Sequence, residues 1–141
     1  MQLLIASTFS ASNRRLLLPD KLAILIWAAT PDRPELVVTP LVHALAARAL
    51  DAEVEIHFAG PAVRWLVEGV ADAAWATAGK EKSVGDFLRE VSQEGVTLYA
   101  CGMAQAQWVS PGESLLAGCR HAGATAFVVR GLDPEWRTLT Y

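Results

Sequence analysis

The sequence predicts a single α/β domain built on a mainly parallel sheet of about five strands, with helices on both faces. Apolar runs typical of strands alternate with segments of helical spacing, an order typical of parallel sheets. The chain has 141 residues, a length typical of one domain, and is 52% hydrophobic and 19% charged. Strands buried on both faces would explain this apolar composition. An apolar subunit interface would explain it equally well.

The first half of the chain predicts two strands and two helices. Lys21–Trp27 is a nearly continuous apolar run and indicates a central strand. Leucine, valine and alanine then recur at helical spacing, which predicts a helix over Pro40–Leu50. Val54–Phe58 alternates between polar and apolar residues and predicts a second strand. A Gly-Pro pair begins the next predicted helix, over Gly60–Val70.

The second half is assigned from caps, turn residues and apolar runs in the same way. The predicted elements are a loop over Ala71–Lys82, a helix over Ser83–Glu94, a strand over Val96–Ala100, a helix over Pro111–His121, a strand over Thr125–Val129 and an edge strand over Arg137–Tyr141. The last strand closes a domain predicted to span residues 21–141.

Residues 1–20 are predicted to form an N-terminal arm. A serine-rich stretch leads through Arg14-Arg15 to three leucines, which could leave the arm loose or pin it to a neighbouring subunit. The apolar start, Met1–Ile5, is too short for a signal-peptide core or a membrane span. Two cysteines without a CxxC pattern make no disulfide framework, so we expect a cytoplasmic protein.

Charge and motif content argue against several function classes. The formal net charge is −3 and the basic residues are scattered, so nothing predicts nucleic-acid or membrane binding. The loop after the first strand has no glycine, which argues against a phosphate-binding or dinucleotide-binding loop. His43, His57 and His121 show no metal-ligand spacing. We therefore expect neither a metal nor a cofactor.

Cys101 is the candidate functional residue, because it ends a predicted buried strand where the sheet meets a loop. Its thiolate would be a nucleophile, and Gly102 would leave backbone N–H groups free to face the sulfur. Met103 follows directly, and Trp108 could roof the thiol or make a subunit contact. The alternative is a small, buried, structural cysteine. Cys119 is predicted to lie in the middle of a helix and to serve packing.

Three segments resemble the DsrE/DsrF-like family, and the resemblance spans roughly residues 21–141. The first helix, the second strand and the helix that begins at a glycine match at Ala46–Val70. The strand motif with its cysteine matches within Ser83–Met103, and the closing strands match at Gly123–Tyr141. The motif around Cys101 is the most specific of the three.

The resemblance implies a flavodoxin-like three-layer fold and a homo-oligomer, commonly a trimer or a hexamer, or a hetero-oligomer of related subunits. It implies that Cys101 accepts sulfane sulfur as a persulfide from a donor protein and passes it to an acceptor. The protein would then be a sulfur carrier, similar to a sulfurtransferase. The alternative is a non-catalytic oligomeric module that binds a small ligand or a protein partner, with Cys101 structural.

Overall fold

A parallel five-stranded sheet organises the part of the chain that the structure, a computed structural model, describes, residues 20–141. The strand order is β4-β3-β2-β1-β5, and every neighbouring pair is parallel. The strands are β1 Lys21–Ile26, β2 Glu53–Phe58, β3 Thr97–Cys101, β4 Arg120–Ala122 and β5 Trp136–Thr140. The predicted fold class is confirmed. The arm predicted at residues 1–20 lies outside the described residues, apart from Asp20.

The helices divide unequally between the two faces of this sheet. They are α1 Val38–Ala49, α2 Val84–Gln93, α3 Gly102–Trp108 and α4 Ala124–Leu132, with 3₁₀ helices at Pro34–Leu36 and Gly60–Leu66. From β1 to β4 each strand is added on the same side, so right-handed crossovers place α1, α2 and α3 on one face. The chain then returns across the sheet to β5, which places α4 on the other face.

The hydrophobic core lies on the face covered by α1, α2 and the second 3₁₀ helix. Ile24 of β1, Ile56 of β2 and Leu98 of β3 share this face by register, and each is at most 5% exposed. On the opposite face α4 contributes no fully buried residue. One face is therefore an apolar core, whereas the other is thinly covered by a single helix.

Ser83 caps the helix that the sequence predicts over Ser83–Glu94. Its hydroxyl accepts a hydrogen bond of 3.0 Å from the backbone N–H of Asp86, and the Asp86 side chain accepts one from the Ser83 backbone. This reciprocal pair sets where α2 begins. Within residues 20–141, no helix has the length and apolar character needed to cross a membrane.

Two predicted helices are wrong, and one long-range pairing explains both. The segment at Gly60–Val70 is a 3₁₀ helix that ends at Leu66, and Pro111–His121 contains turns and β4 but no helix. The N–H of Leu116 donates to the carbonyl of Leu66 at 2.8 Å, and the N–H of Glu68 donates to Ser114 at 2.9 Å. The two segments therefore hydrogen-bond to each other and cannot both complete helical ladders.

The strand predicted at Thr125–Val129 is also wrong, because this segment lies within α4. Its β-branched residues favour a strand, but Arg120–Ala122 already occupies the position beside β3. The chain must then cross the sheet to reach β5, which requires a helical crossover. Cys119, predicted in the middle of a helix, accordingly lies in the turn before β4.

Candidate functional site

Cys101 is the last residue of β3 and the N-cap residue of α3. Its backbone is extended, with φ −68° and ψ 124°, and its side chain makes no capping hydrogen bond. The thiol is half-buried and free. Because β3 is an inner strand, the sulfur lies at the carboxyl edge of the sheet, where ligands bind in open α/β folds.

The surface next to Cys101 is open. The backbone of Gly102 does not have a positive φ. No neighbouring atom lies within 4 Å of the position that a Cβ would occupy, so the turn does not require a glycine here. The Met103 side chain is 84% exposed. Trp108 ends α3, about 10 Å along the helix axis from Cys101. Its carbonyl accepts a hydrogen bond of 3.1 Å from Arg64.

A second helix begins beside Cys101. Cys101 pairs with Ala122 of β4, and the next residue, Gly123, is the N-cap of α4. No side chain caps this helix. The backbone N–H groups of its first turn therefore lie near the same edge as the thiol, where they favour negative charge.

A row of polar side chains lies on the face of the sheet that α4 covers. Side chains alternate along a strand, so Tyr99 of β3 lies on the face opposite Leu98, whereas Cys101, where the strand ends, packs against the core. Tyr99 pairs with His57 of β2, which places His57 and Glu55 on that face as well. The predicted alternation of β2 is confirmed, but its polar face is buried rather than exposed to solvent.

Glu55 is the centre of a buried charged cluster, which we call the Glu55 cluster and which also contains His57 and Arg130. The Glu55 carboxylate lies 2.9 Å from His57 Nε2 and accepts a hydrogen bond of 2.7 Å from Arg130 Nε. Glu55 is only 4% exposed and His57 only 6%. Burial alone would raise the pKa of Glu55, but the hydrogen bonds from His57 and Arg130 outweigh it and hold this pKa below its usual value.

Aromatic rings enclose the Glu55 cluster. The imidazole of His57 stacks on Tyr99 at 4.9 Å and meets the edge of Phe127 at 5.4 Å between ring centroids. The guanidinium of Arg130 lies 4.2 Å from the ring centroid of Trp136. Contacts from β2, β3 and α4 thus hold the imidazole in one orientation, while Trp136 of β5 contacts Arg130.

The DsrE/DsrF-like family model matches residues 21–140. The chain belongs to the DsrE/DsrF-like family. This confirms the family to which the cysteine motif pointed.

Two solved structures have the same fold as this DsrE/DsrF-like chain. The ychN protein from E. coli is 14% identical with a TM-score of 0.68, and the match covers 88% of this chain and all (100%) of that one. Protein MTH1491 from Methanobacterium thermoautotrophicum, described as a protein of unknown function, is 17% identical with a TM-score of 0.60, covering 86% and 98%. None of the curated proteins compared with the chain matches it.

The Glu55 cluster of this family member was not predicted from the sequence. A signal was available, because Glu55 and His57 are two residues apart on a strand and therefore share a face. Ionisable residues that alternate along one face of a strand indicate either solvent exposure or buried pairs. Arg130 could not be assigned to the cluster, since the preceding residues were predicted to form a strand.

Cys119 lies in the turn before β4. Like Cys101 it packs against the core, and burial raises the pKa of its thiol, which favours the neutral form. It also lines a groove of about 610 Å³ between α2 and the start of β3, at the amino edge of the sheet. Cys101 pairs with Ala122, which lies three residues after Cys119 along the chain. The two cysteines are therefore separated by one strand spacing sideways and three residues lengthwise, which is too far for a disulfide. In the described part of the chain, no group of three or more His, Cys, Asp or Glu side chains could hold a metal ion.

Proposed function

We propose that this DsrE/DsrF-like protein is a sulfur carrier that accepts sulfane sulfur as a persulfide on Cys101. The observation that carries the proposal is a half-buried, free thiol at the carboxyl edge of an inner strand, beside an open surface. Membership of a family that often serves sulfur relay supports it. A donor protein would supply the sulfur and an acceptor protein would remove it.

The reaction is a thiol–persulfide exchange. The thiolate of Cys101 attacks the outer sulfur of a donor persulfide, R–S–SH. A new S–S bond forms on the carrier, the S–S bond of the donor breaks, and its electron pair leaves with R–S⁻. The products are the carrier persulfide and the donor thiolate, with no net oxidation. The rate of such an exchange depends on thiolate fraction and access.

The surroundings of Cys101 suit both requirements of this exchange. The exposed Met103 and the empty space beside Gly102 leave an approach for a persulfide. The first turn of α4 directs backbone N–H groups toward the same edge and can stabilise the negative charge of a thiolate or persulfide.

Intact mass after incubation with a small-molecule persulfide tests the proposal. We expect the wild type to gain the mass of one sulfur atom, and to lose it again on treatment with a thiol reductant. Cys119→Ser should gain the same mass, whereas Cys101→Ser should gain none. A wild type without the added mass, or equal gain by Cys101→Ser, would contradict the proposal.

A second candidate function is a homo-oligomeric binding module, a trimer or hexamer, in which Cys101 is structural. The observation in its favour is an apolar outer surface on α4, where Val128, Val129 and Leu132 are 54%, 49% and 80% exposed. Apolar side chains grouped on one helix are typical of subunit contacts. Such an assembly is also compatible with sulfur transfer.

Light scattering after size exclusion tests the assembly. We expect the wild type to have the molar mass of a trimer or hexamer, and Val128→Asp with Leu132→Asp to reduce it. The matched double control, Val42→Asp with Leu50→Asp, changes exposed apolar residues on or just after α1. It should leave the molar mass unchanged. A monomeric wild type would contradict the assembly. A second measurement, the rate of thiol labelling, separates the two functions: slow labelling of Cys101 in the folded protein would favour the binding module over the sulfur carrier.

A further inference from the structure

We propose that two copies of this chain pack with their α4 sides together, so that the α4 of each copy covers a part of the other copy's sheet that is otherwise left open. A two-fold axis parallel to the strands relates the two copies. The inference rests on the assembly given above as the second candidate function, and it names the surfaces and the symmetry of that assembly. It is independent of any sulfur chemistry at Cys101.

Helix α4 is apolar on its outer side as well as toward the sheet. Phe127 and Arg130 face the sheet and contact side chains of β2. Val128, Val129 and Leu132 lie on the outer side, where each is at least 49% exposed. Leu132 follows the two valines at helical spacing, so the three side chains form one stripe. Because a helix with apolar residues all round is normally buried, this stripe indicates a covering partner.

The same side of the sheet is left open over β3 and β4. Helix α4 packs on β5 and β1 and reaches β2 through Arg130. Thr97 and Tyr99 share this side of β3 and are half-buried, and Arg120, the register partner of Tyr99 on β4, is exposed. We call these three side chains the open face. Parallel sheets normally have both faces covered, but within residues 20–141 no second helix lies on this side.

The direction of α4 makes the stripe and the open face complementary. The helix begins after β4 at the carboxyl edge of the sheet and ends before β5 at the amino edge. Thr97 and Arg120 are the first residues of β3 and β4, so the open face is also at the amino edge, but at the other side of the strand order. A half-turn about an axis parallel to β2, the middle strand, exchanges these two sides. The last turn of each α4 then lies over the open face of the other copy.

The charges of the two surfaces favour a second copy as the partner. Among the described residues, no salt bridge involves Arg120 or Asp133. Asp133 directly follows α4, and its carboxylate accepts a hydrogen bond of 2.9 Å from the backbone N–H of Glu135. The carboxyl end of a helix is itself negative. The two-fold axis therefore places the unpaired cation of each copy at the negative end of the partner's helix.

Variants that damage one surface at a time test the pairing by light scattering after size exclusion. Val128→Asp with Leu132→Asp damages the stripe, and Thr97→Arg blocks the open face. We expect each variant to have a lower molar mass than the wild type. An equimolar mixture of the two should form mixed pairs, because the intact stripe of one meets the intact open face of the other. If the helices instead paired directly with each other, Thr97→Arg would keep the wild-type mass, which would overturn the inference.

A charge swap tests the placement of Arg120 against Asp133. Arg120→Glu and Asp133→Lys should each raise the dissociation constant between copies about tenfold or more, and the double variant should recover most of that loss. Arg137→Glu is the matched control on β5, since its register partner Leu22 packs against the core on the opposite face, and it should change nothing. A double variant that recovers none of the loss would contradict the two-fold placement. Thermal midpoints of all variants show whether each chain is folded.

The possible outcomes separate this inference from the functions proposed above. If the wild type is an assembly whose mass neither Thr97→Arg nor Arg120→Glu changes, the assembly stands and the inference fails. A wild type with an odd number of copies also overturns it, because a two-fold axis needs an even number, and of the two assemblies expected above only the hexamer has one. A monomeric wild type overturns both. Sulfur uptake, measured by intact mass, does not depend on any of these results.

Discussion

Trp65→Ala is expected to lower the free energy of unfolding by about 3–5 kcal/mol, the range for large-to-small changes of buried aromatic residues. The Trp65 side chain is 0% exposed. Its Nε1–H donates a hydrogen bond of 2.7 Å to the carbonyl of Ala29 in the loop after β1. The substitution therefore leaves a large cavity and an unpaired buried carbonyl.

Urea unfolding followed by circular dichroism at one protein concentration measures this loss as a shift in midpoint at constant slope. Trp65→Phe keeps an aromatic ring but removes the donor, and should lose about 1–3 kcal/mol. The control is Trp27→Ala, because Trp27 lies just after β1 and is 54% exposed, and this change should cost less than about 1 kcal/mol. Equal losses at Trp65 and Trp27 would show that the second 3₁₀ helix is not part of the core.

Glu55→Ala is expected to cost about 3–5 kcal/mol, the range for breaking a buried ion pair by removing one partner. The substitution leaves His57 buried without its hydrogen-bond partner and removes the anchor of Arg130, and thus of α4. Glu53→Ala is the matched control on the same strand. Glu53 is exposed, so its loss should change stability by less than about 0.5 kcal/mol.

The contribution of Glu55 should also depend on pH. Its pKa in the folded protein is lowered, so the carboxylate stabilises the fold above its unfolded pKa of about 4.3, and this stabilisation is lost as pH falls through the folded pKa. The stability difference between wild type and Glu55→Gln should therefore be full at pH 6 and shrink below about pH 4.3. A constant difference from pH 6 to pH 3 would contradict the paired, ionised state.

Much of the site could be predicted because its signals are local. The apolar run at Lys21–Trp27 and the strand before Cys101 reflect burial against the core on one face and partial cover by α4 on the other. The cap at Ser83 needs only a hydroxyl and a carboxylate three residues apart. Such features depend on neighbours along the chain, and the structure confirms them within one or two residues.

The secondary-structure predictions are wrong where contacts between distant segments override the conformational preference of the local sequence. Leu66 and Leu116 lie on segments that both predict helices, yet hydrogen bonds between these segments limit one to a 3₁₀ turn and prevent the other. Thr125–Val129 has residues that favour a strand, but it follows β4 and must cross the sheet. Local propensity is weak compared with such tertiary demands.

By itself, the sequence determined the parallel α/β fold and the place of Cys101 at the end of a strand, because periodicity and burial in a parallel sheet are visible along the chain. Only the tertiary structure decided which polar groups meet on the face that α4 covers. Arg130 reaches Glu55 across 75 positions only through the strand order β4-β3-β2-β1-β5, which returns the chain across the sheet after β4. Strand order depends on long-range packing, and a buried ion pair exists only after distant segments have met.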